Sequence, residues 1–273
     1  MRNVCSFWAI LFMLASCSAG KYSANNKVYT KKARAEVRAL QTHPKRFTLP
    51  DSIAQPSHTA GSPHFNLRKP NLVVLHHTAQ NSCQTTIETF LNPEKQVSAH
   101  YVICREGEVY QMLNDYWRGW HAGAGSWGTV TDVNSSSIGI ELDNNGEEPF
   151  PEVQIEALRK LSLYLKQKYN IPAQNFIAHS DLAPGRKVDP SMFFPWNRLA
   201  KEGIGIWYDT TGVQVPPQFD EQVALKIIGY PVKDLASARQ SFRLRFLGSE
   251  QTGALTPEEQ RVLFSLMQQV LKM

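Results

Sequence analysis

Several features are scarce in this 273-residue chain. Its one strongly apolar N-terminal run, Phe7 to Ala15, is too short to cross a bilayer as a stable anchor, which takes about 20 residues. Cysteine occurs only four times, too sparsely for a small scaffold held by many disulfides. No internal repeat stands out, so a solenoid is not indicated. Neither sign of charge dominates: 29 Lys+Arg face 24 Asp+Glu, for a net charge of +5 and a pI of about 9.0. A mildly basic surface suits polyanionic partners but selects none of them, and no nucleic-acid partner is expected. What is present is ordinary globular material. Hydrophobic residues make up 42% and charged residues 19%, enough to bury a core in one or two domains.

The N-terminus has the order of a secretory leader: Met1-Arg2-Asn3, then the apolar run, then Leu14-Ala15-Ser16-Cys17. The last four residues resemble the lipobox of bacterial lipoproteins, in which the cysteine becomes the first residue and carries lipid. Residues 1–16 are therefore expected to be a signal peptide. Cys17 is expected to be the lipidation site, placing the chain in the cell envelope. Ser18 after the cysteine resembles the outer-membrane sorting pattern, facing the periplasm. Residues 17–50 read as a lipid-anchored tether rich in Lys and Arg, with a short helix at 32–40. This stretch suits either anionic headgroups or a plain spacer. Two cysteines remain, Cys83 and Cys104; a bridge and two buried thiols are both open.

From residue 71 the texture changes. Leu72-Val73-Val74-Leu75 reads as a buried strand ending at His76 and His77. A helix over 84–91 follows, then a strand pair (99–104 and 108–113) around Glu106-Gly107. Residues 115–134 form a long loop rich in Gly and Trp. A strand over 137–142, a helix over 152–169 with Ile155, Leu158, Leu161 and Leu165 at helical spacing, and a short strand over 175–178 ending at His179 complete the pattern. Strands separated by helices indicate an α/β fold with a central mixed sheet flanked by helices. The catalytic domain is placed at 51–205. After the break at Pro216-Pro217, three helical stretches (219–228, 234–246, 257–271) form a small α-helical domain at 215–273. Thr256-Pro257 supplies a cap and a first-turn proline.

Zinc accepts imidazole nitrogen and carboxylate oxygen, and a catalytic site leaves one position open. His76 and His179 at two strand ends can meet at one sheet edge. Asp189 follows His179 across a loop that Pro184-Gly185 allows to turn back. Spacing alone leaves structural histidines as an alternative.

The surrounding words narrow this. Val74-Leu75-His76-His77-Thr78-Ala79, Ser98-Ala99-His100-Tyr101, Trp120-His121-Ala122-Gly123, Ser137-Ile138-Gly139-Ile140-Glu141 and His179 through Pro190 occur in one order. Together they resemble the type-2 N-acetylmuramoyl-L-alanine amidases and the related peptidoglycan recognition proteins, over roughly residues 70–197. The lipobox and C-terminal helices look most like the family's lipoprotein members, and the tail looks like a peptidoglycan-binding helical domain. The resemblance implies Zn2+ on His76, His179 and Asp189, Glu141 as the catalytic carboxylate, and Lys187 near the reacting carbonyl. Recognition-only relatives commonly lose the third ligand, which is kept here. It also implies a groove for peptidoglycan or muropeptides that holds His121; as further substrate-binding candidates, Trp120 and Trp127 either wall that groove or pack in the core, and Arg186 either meets peptide carboxylates or is a surface charge. His77 is read as a neighbour of the metal, His100 as structural, and Asp181 as orienting His179 or capping a turn. A monomer is expected. A non-cutting peptidoglycan-binding module and a two-carboxylate glycosidase are the competing readings; the first does not need the full residue set, and the second leaves the metal ligands unexplained.

Overall fold

The computed structural model describes residues 20–41 and 67–273. Residues 1–19, which include the expected signal peptide and Cys17, and residues 42–66 lie outside the described residues. The chain divides into two compact units, Met1–Phe65 and Asn66–Met273. In the first, α1 (Ser23–Gln41) is longer than the short helix expected over 32–40. Four alanines and many straight-chain Lys and Arg, all good helix formers, carry it back through residues that read from sequence as tether. No helix among the described residues is long and apolar enough to cross a membrane.

The second unit is built on a five-stranded sheet. Its strands are β1 (Leu72–His77), β2 (Tyr101–Ile103), β3 (Val109–Gln111), β4 (Ser137–Leu142) and β5 (Phe176–Ala178), in the order β3-β2-β4-β1-β5. All neighbours are parallel except β2 and β3, which form the expected antiparallel pair. Between β1 and β2 runs α2 (Cys83–Leu91), capped by the Ser82 side chain. A disulfide from Cys83 to Cys104, with Cα atoms 5.2 Å apart, ties its start to the end of β2.

Side chains alternate across a strand, so each strand has two faces with different duties. On one face Val73, Leu75, Ile138, Ile140 and Leu142 pack with Phe176 and Ala178. They are closed over by α3 (Glu152–Tyr169), through Ile155, Leu158 and Leu165, and by α5 (Trp196–Ala200). Asn170, left-handed at φ 55°, terminates α3. The side chain of Gln154 donates to the carbonyls of Ile103 and Asp143, fixing the start of α3 to the sheet.

On the other face Leu72, Val74 and Ile177 join a second core that continues into the C-terminal helices α6 (Glu221–Ile228), α7 (Leu235–Leu247) and α8 (Pro257–Leu271). The three expected helices are present, and α8 starts at the Thr256-Pro257 cap with a reciprocal Glu259 bond. They share that core with the sheet instead of standing apart from it. Ala224, Leu225, Ile228, Phe242, Phe246 and Leu263 lie in one cluster with Leu72, Val74 and Ile177. A polar tie reinforces the join. Arg245 of α7 pairs with buried Asp181 and donates to the Phe176 carbonyl at 3.0 Å, while Tyr230 donates to the other Asp181 oxygen at 2.7 Å.

Candidate active site

Parallel strands deliver their carboxyl ends to one edge, where an α/β sheet typically builds its site. In register, His76 of β1 pairs with Glu141 of β4, and Leu75 pairs with Ala178 of β5. His76 and Glu141 thus emerge side by side. His179 follows directly in α4 (His179–Leu182), whose start Asp181 caps by accepting from the Ala178 N–H at 2.8 Å. The loop after α4 returns so that the Ser180 N–H reaches the Asp189 carbonyl at 2.9 Å, which brings the Asp189 side chain back over His179.

The three candidate ligands converge. His76 Nδ1 lies 2.9 Å from His179 Nδ1 and 3.0 Å from Asp189 Oδ2, and His179 Nδ1 is also 3.0 Å from that oxygen. The surrounding hydrogen bonds show which ring nitrogens carry protons. His179 Nε2 sits 3.0 Å from the Ala122 carbonyl, an acceptor only, so Nε2 bears the hydrogen and Nδ1 is a lone pair. For His76 the assignment runs through two further residues. Ser137 Oγ donates its single hydrogen to the Val133 carbonyl at 2.6 Å, and therefore accepts from His121 Nε2 at 3.3 Å. His121 Nδ1 then accepts from His76 Nε2, also at 3.3 Å, leaving His76 Nδ1 unprotonated. Two imidazole lone pairs and a carboxylate oxygen face one another at hydrogen-bond distance with no proton assigned among them. A cation resolves that arrangement, and two nitrogens with one carboxylate oxygen is a donor set that zinc accepts with a position to spare.

Electrostatics agree with this assignment. Burial, reinforced by His179, lowers the His76 pKa to about 4, so its ring is neutral and able to ligate at neutral pH. Burial also drives His121 well below the usual range. For Asp189 burial works toward protonation, but its contacts with His179 and His76 outweigh it and hold the group below the ordinary carboxylate range. Glu141 behaves oppositely. Burial, then the nearby Asp189 charge, raises it to about 8, against a smaller opposing effect of Lys187. Its Oε1 is 4.0 Å from His76 Nδ1, and its buried Oε2 has no hydrogen-bond partner among the described residues. A carboxyl with a displaced pKa and an unspent oxygen beside three ligand atoms has the character of a proton-transfer group.

These residues floor an open groove of about 440 Å³. One wall is Thr86, Thr89 and Phe90 of α2 with Val97 and Ser98; Arg186, Lys187 and Val188 line it as well, and Trp120 stands at its rim, 45% exposed. Ser98 fixes Trp120 through two bonds, its N–H to the Trp120 carbonyl and its Oγ to the Trp120 N–H.

Not every candidate residue sits where the sequence suggested. Trp127 is 7% exposed and packs edge-on against Tyr230 at 5.2 Å, in the core shared with α6–α8 and not among the groove residues. His121 touches the groove floor, yet both its ring nitrogens are spent on His76 and Ser137, so it braces a ligand instead of presenting a bond to substrate. Arg186 lines the groove with its guanidinium directed to the carbonyls of Ala122 and Ala124. His77 accepts from the Ser191 N–H with its Nδ1 and is not one of the three residues whose ligand atoms cluster. His100 is a buried bracket, accepting from the Gly139 N–H and facing the Trp117 carbonyl. Two residues with roles here were not singled out from sequence. One is Ser137, whose signal was its place four residues before Glu141 on the same strand face. The other is Asn134, whose side chain accepts from the His121 and Ala122 N–H groups. Gly139 lies between Ser137 and Glu141 on that face, and a Cβ there would collide with the His121 ring.

Comparison with known proteins fits the same picture. Residues 66–192 match the family model described as N-acetylmuramoyl-L-alanine amidase. The chain is 31% identical over 229 residues to the N-acetylmuramoyl-L-alanine amidase AmiD of Escherichia coli, covering 72% of this chain and 82% of AmiD. The chain belongs to the N-acetylmuramoyl-L-alanine amidase family. Other members fall around it. The 1,6-anhydro-N-acetylmuramyl-L-alanine amidase AmpD of Haemophilus influenzae is 31% identical over 160 residues, half of this chain and 86% of AmpD. Among solved structures, E. coli AmiD in complex with the substrate anhydro-N-acetylmuramic acid-L-Ala-D-gamma-Glu-L-Lys superposes with a TM-score of 0.67 at 28% identity, over 81% of this chain and 97% of that one. Pseudomonas aeruginosa AmpDh3 gives the same score and identity over 80% and 98%. The matches to AmiD and AmpDh3 extend over about four fifths of this amidase, the mixed sheet included, whereas the match to AmpD covers half of it.

Proposed function

We propose that this amidase is zinc-dependent and hydrolyses the amide between the lactyl group of N-acetylmuramic acid and the L-alanine of the peptidoglycan stem peptide, in cell-wall turnover or recycling. The observation that carries the proposal is the convergence of two bare imidazole nitrogens and one carboxylate oxygen beside Glu141. His76, His179 and Asp189 would hold zinc, which supplies Lewis acidity and lowers the pKa of water to about 7. With a cation held beside it favouring its ionised form, Glu141 would take a proton from the attacking water and return one to the leaving amine of L-alanine; transfer by such a group is typically worth about 10²–10⁴-fold. Lys187, on the groove wall, opposes the negative charge that grows on the reacting carbonyl oxygen. Trp120 offers a flat apolar face to sugar, and Arg186 a positive charge near peptide carboxylates. Muropeptides with an anhydro sugar, the substrate seen on AmiD, belong in the same class of ligand.

Residues 1–16 act as a signal peptide, Cys17 carries lipid, and the enzyme works as a monomer at the outer membrane facing the wall. The helices at 215–273 bind peptidoglycan near the site and raise its local concentration.

Mass spectrometry of defined muropeptides tests the central claim: free stem peptide is expected, lost with a chelator and restored by zinc. Metal analysis of the purified chain is the companion measurement. A chain that binds muropeptides tightly, holds no zinc and releases nothing would overturn the proposal in favour of a recognition module, and shortened sugar chains would point to a glycosidase.

A further inference from the structure

α1 carries two stripes that the catalytic reading does not use. With 3.6 residues per turn, Lys27, Lys31, Arg34 and Arg38 fall within about 60° of one another on the helix surface. All four are exposed, and among the described residues none forms an ion pair. The only acid of the helix, Glu36, sits roughly opposite them. Tyr29, Ala33, Val37 and Leu40 form a second stripe, centred about 135° from the first. Its large members are 38%, 43% and 68% exposed at Tyr29, Val37 and Leu40.

We infer that α1 is a membrane-surface helix, whose basic stripe contacts the phosphate headgroups of an anionic phospholipid leaflet while its apolar stripe enters the interface. Charge complementarity accounts for the first stripe: basic residues near such a leaflet each strengthen binding, on the order of fivefold apiece. The second stripe separates a bilayer from the other polyanion at hand, the carboxylates of the wall polymer. A helix that lies in an interface buries an apolar face beside its cations, whereas a hydrated polymer gives that face nothing to enter. Reach agrees as well. Only five residues lie between Cys17 and Ser23, at most about 22 Å of extended chain. If Cys17 is lipidated the helix is confined near the leaflet, yet the inference does not require the lipid, because the two stripes are properties of the helix alone.

The test uses the chain from residue 18 onward, which has neither leader nor lipid but keeps every described residue. Co-sedimentation is measured with phosphatidylglycerol-containing vesicles, pure phosphatidylcholine vesicles and isolated sacculi. Strong, salt-sensitive binding to the anionic vesicles alone is expected from α1. The combined variant Lys27→Gln, Lys31→Gln, Arg34→Gln, Arg38→Gln should lower that binding about a hundredfold or more. Muropeptide hydrolysis should stay at the parent level, which also reports that the chain is folded. Val37→Gln with Leu40→Gln should weaken vesicle binding and leave sacculus binding alone. The inference fails if the fourfold variant binds vesicles as the parent does. It also fails if the basic stripe matters for sacculi and not for vesicles, which would make the wall the partner.

Discussion

The two faces of β4 are made by one strand and have opposite characters. On the α3 face every inward residue of β4 is aliphatic: Ile138, Ile140 and Leu142. On the other face the alternate residues are Ser137, Gly139 and Glu141, none of which contributes an apolar side chain. The first face gains stability from burial, at about 25 cal/mol per Å² of apolar surface removed from water. The second gives up that gain over half of β4 and keeps a carboxyl that is costly to ionise. The strand cannot do both on one side, and pleating keeps the two apart by a single residue.

The comparison can be broken from either side, and the effects should descend in a fixed order. Glu141→Gln should lower the rate of muropeptide cleavage by about 10²–10⁴-fold while zinc content, measured by elemental analysis, stays at the parent level. Ile140→Ala, one residue away on the opposite face, should do the reverse: a loss of about 2–5 kcal/mol in urea unfolding, with the remaining folded enzyme cleaving normally. The Glu141 carboxyl should also show its cost directly in metal-free protein. Its folded pKa of about 8 lies above the ordinary value of 4.5, so between those limits the unfolded chain releases a proton that the folded chain retains, and stability falls as pH rises. Glu141→Gln should therefore stabilise the chelator-treated protein by about 3 kcal/mol at pH 7 and make no difference at pH 4, as read from urea midpoints. Ser137→Ala should be the mildest change. Freed of its acceptor, His121 no longer holds His76 in one tautomer, and zinc affinity in a competition titration should drop about 10–100-fold with little loss of stability. An unchanged affinity would remove Ser137 from the chain of bonds that prepares His76.

How far the sequence reached follows the same division. Elements defined by local pattern were legible: β1 and β4 from β-branched runs, α3 and α8 from apolar spacing and caps, each close to its observed limits. The three residues that cluster at the sheet edge are legible as a candidate set because their words occur in order, with His76 at one strand end and His179 just after another. What sequence could not carry was anything settled by a distant partner. Trp127 and Trp120 look alike in a Gly-rich loop, but Tyr230, a hundred residues further on, buries the first. His121 reads as a free polar tip until Ser137 and His76 are placed on its two nitrogens. The Cys83–Cys104 bridge depends on the end of β2 lying beside the start of α2, which no local pattern encodes. The Pro216-Pro217 break read as a domain linker, whereas the helices after it complete the core under the sheet.

That completion changes how the C-terminal helices can be handled. Arg245 and Tyr230 hold Asp181, and Asp181 holds the turn from which His179 springs. Cutting the chain at residue 215 would leave a buried carboxylate without its counter-charge and uncover Leu72, Val74 and Ile177, so the remainder would fail as a fold before it could report on wall binding. The segment is therefore not an interchangeable cassette that can be deleted or traded among relatives to tune substrate targeting. Engineering of its surface belongs to single exposed positions such as Val223 and Leu271, which leave the keystone under the His179 turn in place.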